Sequence, residues 1–259
     1  MGNNFVTQVI AMKEIIVEKL KVIEQQNQVR ILYACESGSR AWGFASPNSD
    51  FDVRFIYVRS LYSLLSVSEQ RDVIELPIND VLDINGWELR KALRLFRKSN
   101  ATLYEWLQSP VVYYEDESFS QLMRSLMPAY FSGRAAMHHY LSMARGVFEN
   151  ELSDDMVRLK KYFYSLRPVL AARWIAEEKS VPPMRFDELR QILPRRLNKI
   201  VDEMLHLKAA VDEGFMIKRQ AELHDFILES ISNCQAVVPG NGEPGDVALL
   251  DRIFRKYIL

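Results

Sequence analysis

The sequence predicts an α/β protein of the α+β kind, in which a small mixed sheet in the first half is followed by an all-helical second half. Three observations lead to this prediction. Strand-like and helix-like segments alternate up to about residue 115, strand signals then cease, and the later apolar residues recur at helical spacing. The predicted division places one domain at residues 1–115 and a helical domain at residues 116–259.

The first half begins with an amphipathic helix at residues 5–26, where apolar side chains recur at every third or fourth position. The β-branched and aromatic run at 29–35 predicts a buried strand that leads into a glycine turn. A capping box of Thr102 with Glu105 predicts a short helix that ends before Pro110. The remaining elements are a strand at 51–58, one or two strands at 71–78 and 80–84, a helix at 87–99 and a short strand at 111–114.

The second half is expected to consist of successive helices at 117–127, 134–152, 155–180, 186–213, 217–235 and 246–258. Pro168 should kink or restart the third of these, and Pro194 should divide the fourth, because proline lacks the helical N–H donor. Gly214 is a plausible helix C-terminal cap, and Asp246 is placed to cap the last helix.

Composition limits the classes of function. The 259 residues are 48% hydrophobic with a formal net charge of −1, which excludes a uniformly basic nucleic-acid binder and requires any polyanion site to be regional. Cys35 and Cys234 lie far apart, and no leader or apolar run of ~20 residues is evident. We therefore expect a cytoplasmic protein without a membrane partner.

The chemistry is expected in residues 38–54. A glycine turn directly after a strand, at Gly38 and Ser39, allows backbone N–H groups to bind phosphate. On the next strand, Asp50, Asp52 and Arg54 project to one side because side chains alternate between faces. Carboxylates so close together usually bind a divalent cation, and hard oxygen ligands favour Mg²⁺.

Metal-dependent phosphoryl or nucleotidyl transfer normally needs a third carboxylate. Asp83 is the first candidate because it lies between two apolar residues on a later strand, and Asp80 and Glu75 compete with it. Alternatively, Asp50 and Asp52 have no catalytic role and are merely acids of a tight turn and an edge strand.

Gly38-Ser39 followed by Asp50-x-Asp52 resembles the GS…DxD signature of the DNA polymerase β nucleotidyltransferase superfamily. The segments GSRAWGFASPNSDFDVRFIYV, LDINGWELRKALRLFRKSN and EWLQSP resemble the RNA-ligase-associated polymerase-β-like (RlaP) family of predicted nucleotidyltransferases, over nearly the whole chain. This resemblance implies a polymerase-β-like nucleotidyltransferase domain. It also implies that Gly38 and Ser39 hold a nucleoside triphosphate, with ATP the expected one, while Asp50, Asp52 and Asp83 are the catalytic ligands of Mg²⁺ or Mn²⁺.

A second wall of the nucleotide site is expected in the basic part of the helical half. Residues 155–200 carry eleven Lys or Arg against five acids, although a charged helix face is usually just solvated. Arg40 and Arg54 either contact phosphate or only neutralise the neighbouring acids. Besides Gly38 and Ser39, the expected nucleotide-contacting residues are Arg40, Ser49, Lys160, Lys161, Tyr164 and Arg167.

The predicted reaction is Mg²⁺-dependent transfer of a nucleoside monophosphate from an NTP to a hydroxyl acceptor, with release of pyrophosphate. The basic segment and the resemblance favour an RNA end as the acceptor. Transfer to a protein side chain, as in AMPylation, stays open, whereas a cationic small-molecule acceptor is disfavoured by the basic wall. The alternative of another class is a nucleotide-binding or RNA-binding regulator without turnover.

Overall fold

The computed structural model describes residues 2–77, 81–237, 239–240 and 245–259. The first half contains α1 (Gly2–Asn27), β1 (Val29–Glu36), α2 (Gly38–Trp42), β2 (Phe51–Arg59), α3 (Leu61–Leu64), β3 (Val73–Glu75), β4 (Leu82–Glu88), α4 (Leu89–Arg97), α5 (Ala101–Leu107) and β5 (Val112–Glu115). The second half contains α6 (Glu117–Tyr130), α7 (Gly133–Glu151), β6 (Met156–Arg158), α8 (Leu159–Glu178), α9 (Phe186–Leu189), a 3-10 turn (Arg190–Ile192), α10 (Arg195–Lys208), β7 (Met216–Lys218), α11 (Ala221–Ala236) and α12 (Val247–Ile258).

A five-stranded mixed sheet organises the first half, with the strand order β3-β4-β2-β1-β5. Strands β2 and β4 run parallel, and the other neighbouring strands are antiparallel. This arrangement confirms the predicted mixed sheet. A parallel pair requires a crossover connection, and here the connection carries α3 and β3, and β4 starts beside the start of β2.

Helices cover both faces of this sheet. Ile16, Leu20 and Ile23 of α1 pack with the odd-numbered apolar side chains of β2. The other face carries Ile56 and Val58 and is covered by α4, α5, α6 and α12. Two helices of the predicted second domain therefore lie on the sheet of the first, and the division at residue 115 stays a prediction.

The helical half has its own core around α8. Leu166, Val169 and Leu170 are fully buried there against α7, α10 and α11. Phe44, in the loop after α2, enters this core and stacks on Phe163 with ring centroids 5.2 Å apart. The loop that follows the glycine turn is therefore fixed to the helical half by apolar packing.

The predicted start of α5 is wrong. The Asn100 side chain caps the helix by accepting a hydrogen bond from the Leu103 N–H at 3.0 Å, so Thr102 lies inside the helix. Asparagine is among the best N-cap residues, and it precedes the threonine by two positions. Glu105, expected to complete a capping box, is buried in contact with the helical half.

Two of the four expectations about helix ends in the second half are confirmed. Pro194 separates the turn after α9 from α10, and Asp246 caps α12. Pro168 does not restart the helix, since α8 continues through it from Leu159 to Glu178. Its neighbours are fully buried, and each large apolar side chain so placed contributes ~1.5–3 kcal/mol, against a cost of ~3 kcal/mol for the proline. Gly214 caps no helix, since α10 ends six residues earlier.

The expectation that strands are absent after residue 117 is also wrong. Strands β6 and β7 form an antiparallel pair, with Val157 opposite Ile217. Strands of three residues, far apart in the sequence, are too short to show a period of two. None of the helices in the described ranges combines the length with the apolar character that crossing a membrane requires.

Candidate active site

The parallel pairing of β2 with β4 brings two acids together. Asp52 lies directly opposite Asp83 in the strand register. Phe51, Val53 and Phe55 are buried, so the alternation predicted for this strand is confirmed and Asp52 faces away from α1. Asp50 immediately precedes the strand and is exposed. The first acid pair therefore consists of one residue from each strand.

Arg54 bridges this pair. Its Nη2 donates to Asp52 Oδ1 at 3.0 Å and to Asp83 Oδ2 at 2.7 Å. Its Nη1 donates to the carbonyl oxygens of Val53 and Asp83. All three side chains are partly shielded from water, so the guanidinium supplies the positive charge that two neighbouring carboxylates require. Of the two expectations for Arg54, the structure shows the neutralising contact.

The glycine turn lies against the same carboxylate. Gly38 has φ +60°, a left-handed conformation that glycine adopts without strain. A Cβ atom at this position would lie 2.1 Å from Asp52 Oδ2, so any side chain would displace the carboxylate. Ser39 is buried in the first turn of α2, and the Ser37 N–H donates to the Asp52 carbonyl at 2.8 Å. Backbone and acid are thus in direct contact.

Glu36, which no sequence motif marked, holds the backbone of Asp52 beside this turn. It is almost fully buried, and its carboxylate accepts hydrogen bonds from the Asp52 N–H at 2.8 Å and from the Tyr113 hydroxyl. Burial raises the pKa of Glu36 to about 7, although both hydrogen bonds oppose this change. The available signal was an acid at the end of a strand that is apolar from Ile31 to Cys35.

Arg40 and Ser49 hold the loop before β2 in place. Arg40 Nη2 donates to the Ser49 carbonyl at 2.6 Å, and its Nε donates to the Asp50 carbonyl at 3.0 Å. The guanidinium also lies 3.8 Å from the centre of the Phe51 ring. Ser49 Oγ accepts from the Ser46 N–H and donates to Glu213. These contacts orient Asp50 through the backbone.

Glu213, which the sequence analysis also did not name, approaches the acids from the helical half. Its Oε1 accepts from Ser49 Oγ at 2.7 Å, and its Oε2 pairs with Lys160 Nζ at 2.7 Å. Partial burial raises the pKa of Asp50, and the charge of Glu213 raises it further. Glu213 lies in a loop without a motif, so nothing in its sequence context marked it.

One face of α8 approaches the acids from the helical half. Lys160 lowers the pKa of Asp50 against the effect of burial, and Tyr164 lies one helical turn further along. Burial raises the pKa of Tyr164 first, and the charges of Glu213, Asp52 and Asp50 raise it further. These two residues therefore lie within electrostatic reach of the acids.

Lys161 and Arg167 are placed differently. Lys161 Nζ pairs with Glu151 at 2.7 Å, because neighbouring helical residues point about 100° apart. Arg167 is buried, with Nη1 donating to Glu105 at 2.8 Å and Nε and Nη2 donating to the Met184 carbonyl. Its guanidinium lies over the Trp42 ring at 4.6 Å. Its donors are therefore used within the protein.

The alternatives for the third carboxylate also have defined positions. Glu75 lies on β3, one strand beyond Asp83, and its Oε1 accepts from Asn85 Nδ2 at 2.9 Å. Asp80 lies outside the described residues. Of the two candidates that the structure describes, Asp83 is the one that directly adjoins Asp52.

The donor chemistry suits Mg²⁺ or Mn²⁺, since Asp50, Asp52 and Asp83 offer hard carboxylate oxygens, and the Asp52 carboxylate lies against the glycine turn in the space that a Cβ atom at Gly38 would take. Within the described ranges, no three acidic, histidine or cysteine side chains are grouped closely enough to hold a metal ion as they stand. Arg54 accounts for part of this, because it occupies the space between two of the acids.

The chain is similar to a protein family, to a curated protein and to a solved structure. A family model described as RlaP, RNA repair pathway DNA polymerase beta family, matches residues 12–256. The uncharacterized protein YcgL of Bacillus subtilis (strain 168) is 48% identical over 222 residues, which is 85% of each chain. A nucleotidyltransferase-like protein from Exiguobacterium sibiricum 255-15 is 12% identical, with a TM-score of 0.30, over 86% of this chain and 74% of that one.

Proposed function

The chain belongs to the RNA repair pathway DNA polymerase beta family, and on that premise we propose that it is a metal-dependent nucleotidyltransferase. The reaction is transfer of a nucleoside monophosphate from an NTP, with ATP as the expected donor, to a hydroxyl acceptor, and pyrophosphate is released. The observation that carries this proposal is the pairing of Asp52 with Asp83 against the glycine turn. A purely structural role would not require two half-buried acids side by side.

In this proposal the triphosphate lies at Gly38 and Ser39, and Asp50, Asp52 and Asp83 hold Mg²⁺ or Mn²⁺. The bound metal would neutralise the developing charge on the phosphates. Arg54 must release its two carboxylates before they can serve as ligands, and its guanidinium is then available to a phosphate oxygen. Glu36 keeps the Asp52 backbone in register with the turn.

Lys160 and Tyr164 form the opposite wall of the proposed cleft. Lys160 is the cation of this wall that can oppose phosphate charge once it exchanges its contact with Glu213. Arg40 and Ser49 act by orienting the Asp50 loop, and Arg167 acts by supporting Trp42 at the end of α2. Lys161 is assigned no nucleotide contact in the proposal, because it pairs with Glu151.

We take an RNA end as the acceptor. The support is the description of the family and the excess of basic residues between positions 155 and 200. A hydroxyl-terminated RNA strand that binds the accessible residues of this segment through its phosphates would bind more weakly as the salt concentration rises.

The test measures pyrophosphate release from each of the four NTPs with Mg²⁺ or Mn²⁺, with and without short RNA that ends in a 3′-hydroxyl or a 3′-phosphate. We expect release that requires the hydroxyl and is lost in Asp52→Asn and Asp83→Asn. Glu75→Gln is the matched control, since it removes an acid one strand away. Loss of activity in Glu75→Gln but not in Asp83→Asn would transfer the third ligand to Glu75.

Turnover with a protein acceptor but not with RNA would support the nucleotidyltransferase activity and refute RNA as the acceptor. Binding of NTP without release of pyrophosphate under every acceptor condition would refute the proposed reaction and favour a regulatory binding protein.

A further inference from the structure

A polar pocket lies at the opposite end of the strands that carry the acids. It has a volume of about 560 Å³ and is formed by residues 59–72 together with the start of α4. Arg59, which lines the pocket, is seven positions after Asp52 on β2. At the usual rise of a strand this separation is about 23 Å, so the pocket is distinct from the candidate active site.

The pocket is rich in positive charge. It is lined by Arg59, Arg71, Arg90, Lys91 and Arg94, and its acids are Glu69, Asp72 and Glu88. Lys91 pairs with Asp72 at 3.0 Å, whereas Arg71 and Arg94 are exposed and form no salt bridge within the described part of the chain. Exposed guanidinium groups around a concavity are suited to a phosphate, which they contact through two parallel hydrogen bonds.

Two polar atoms at this pocket are buried without a hydrogen-bond partner among the described residues, namely Glu88 Oε1 and Arg59 Nε. Glu88 is buried, with only 5% of its surface exposed. Its other carboxylate oxygen caps α4 by accepting a hydrogen bond from the Arg90 N–H at 2.7 Å. Burial raises the pKa of Glu88. An unpaired buried acceptor and donor are costly, so both atoms favour a bound group that completes them.

The two observations together restrict the ligand. A bare phosphate would satisfy the arginines but would be repelled by the Glu88 carboxylate. A ligand that also presents an N–H or O–H donor would pair with Glu88 Oε1, as nucleobase amino groups do with acidic side chains. The volume is within the usual range for small-molecule sites. A nucleic acid strand would track an open basic surface and would not need a buried acceptor.

We propose that this pocket binds a nucleoside monophosphate, with the phosphate at Arg71 and Arg94 and the base or sugar donor at Glu88. This second site does not depend on the acids at the other end of the sheet. Its ligand therefore binds without a divalent metal, which separates it from the proposed nucleotidyl transfer.

The experiment is isothermal titration calorimetry in EDTA with AMP, CMP, GMP, UMP and inorganic phosphate. We expect at least one monophosphate to bind more tightly than inorganic phosphate. Arg71→Gln combined with Arg94→Gln should weaken this binding by at least about tenfold, since two charge-assisted contacts are lost. Arg97→Gln is the matched control on the same helix, because Arg97 is absent from the lining of this pocket and lines the neighbouring groove beside α12, to which Arg90 and Arg94 also contribute.

Glu88→Gln tests the other half of the site. It keeps an oxygen for the cap of α4 but removes the negative charge, so the preference for the nucleoside monophosphate over inorganic phosphate should shrink at least about threefold. Circular dichroism and melting temperature establish that each variant is folded. The proposal is overturned if no monophosphate binds, if the double variant binds like Arg97→Gln, or if single-stranded RNA needs these arginines while monophosphates do not bind.

Discussion

Replacing Arg167 by methionine is expected to destabilise the protein by about 3–5 kcal/mol, because it leaves a buried carboxylate without its counter-charge. The side chains of Arg167 and Glu105 are only 2% and 9% exposed, and their charged atoms are 2.8 Å apart. This pair joins α5 of the first half to α8 of the second. Its loss would therefore weaken the contact between the sheet and the helical core.

The magnitude follows from what each group retains. Without Arg167, Glu105 keeps hydrogen bonds from the Trp42 indole N–H at 3.1 Å and from the Tyr140 hydroxyl at 2.9 Å, which are neutral donors. The Met184 carbonyl loses the two hydrogen bonds that it accepts from Arg167. Adding Glu105→Gln removes the uncompensated charge, so the double variant should regain at least about 2 kcal/mol over Arg167→Met alone.

Urea unfolding followed by circular dichroism measures these differences. Arg173→Met is the matched control on the same helix, since Arg173 pairs with Glu177 at a partly exposed i,i+4 position and should contribute no more than about 1 kcal/mol. Equal losses of unfolding free energy in Arg167→Met and Arg173→Met would refute the contribution assigned to the buried pair. Weaker NTP binding with unchanged stability would instead restore Arg167 to the nucleotide site.

Three further changes test the candidate active site. Gly38→Ala should lower stability and weaken Mn²⁺ binding more than Gly43→Ala does. Both residues have a positive φ, but only at Gly38 would a Cβ atom collide with Asp52. Melting curves and Mn²⁺ titrations of the two variants measure the difference. Arg54→Gln should tighten Mn²⁺ binding by about tenfold in electron paramagnetic resonance titrations, since the competing guanidinium is gone, and equal or weaker binding contradicts this role. Folding raises the pKa of Glu36 from 4.5 to about 7, so the folded protein binds the proton more tightly and stability should fall by up to about 3 kcal/mol as the pH rises between these values. Thermal melts in EDTA should show this slope in the wild type and not in Glu36→Gln, and an unchanged slope in the variant would assign it to other groups.

Local patterns were sufficient to predict the glycine turn and the shared face of β2. A turn at Gly38 follows from the end of a largely apolar strand, and the alternation that turns Asp52 and Arg54 away from α1 follows from the pleat. The helical character of the second half was also readable from its periodicity. Each of these features depends on residues within a few positions of one another.

Contacts between distant segments were not predictable in the same way. Glu213 lies 164 positions after the Ser49 that it contacts, and Arg167 lies 62 positions after Glu105. Whether a basic residue on α8 faces the acids or the core depends on the rotation of the helix against its neighbours, which apolar packing sets. This is why Lys160 lies near Asp50 while Lys161 and Arg167 pair elsewhere.

The sequence by itself determined which residue types are available for chemistry. It also determined which of them share a strand face, because side chains alternate between the two faces of a strand with a period of two residues. Only the tertiary structure decided that Asp83 is the partner of Asp52 and that Arg54 lies between them. The reason is that the parallel register of β2 with β4 results from the crossover and the packing on both sheet faces, which no local pattern encodes.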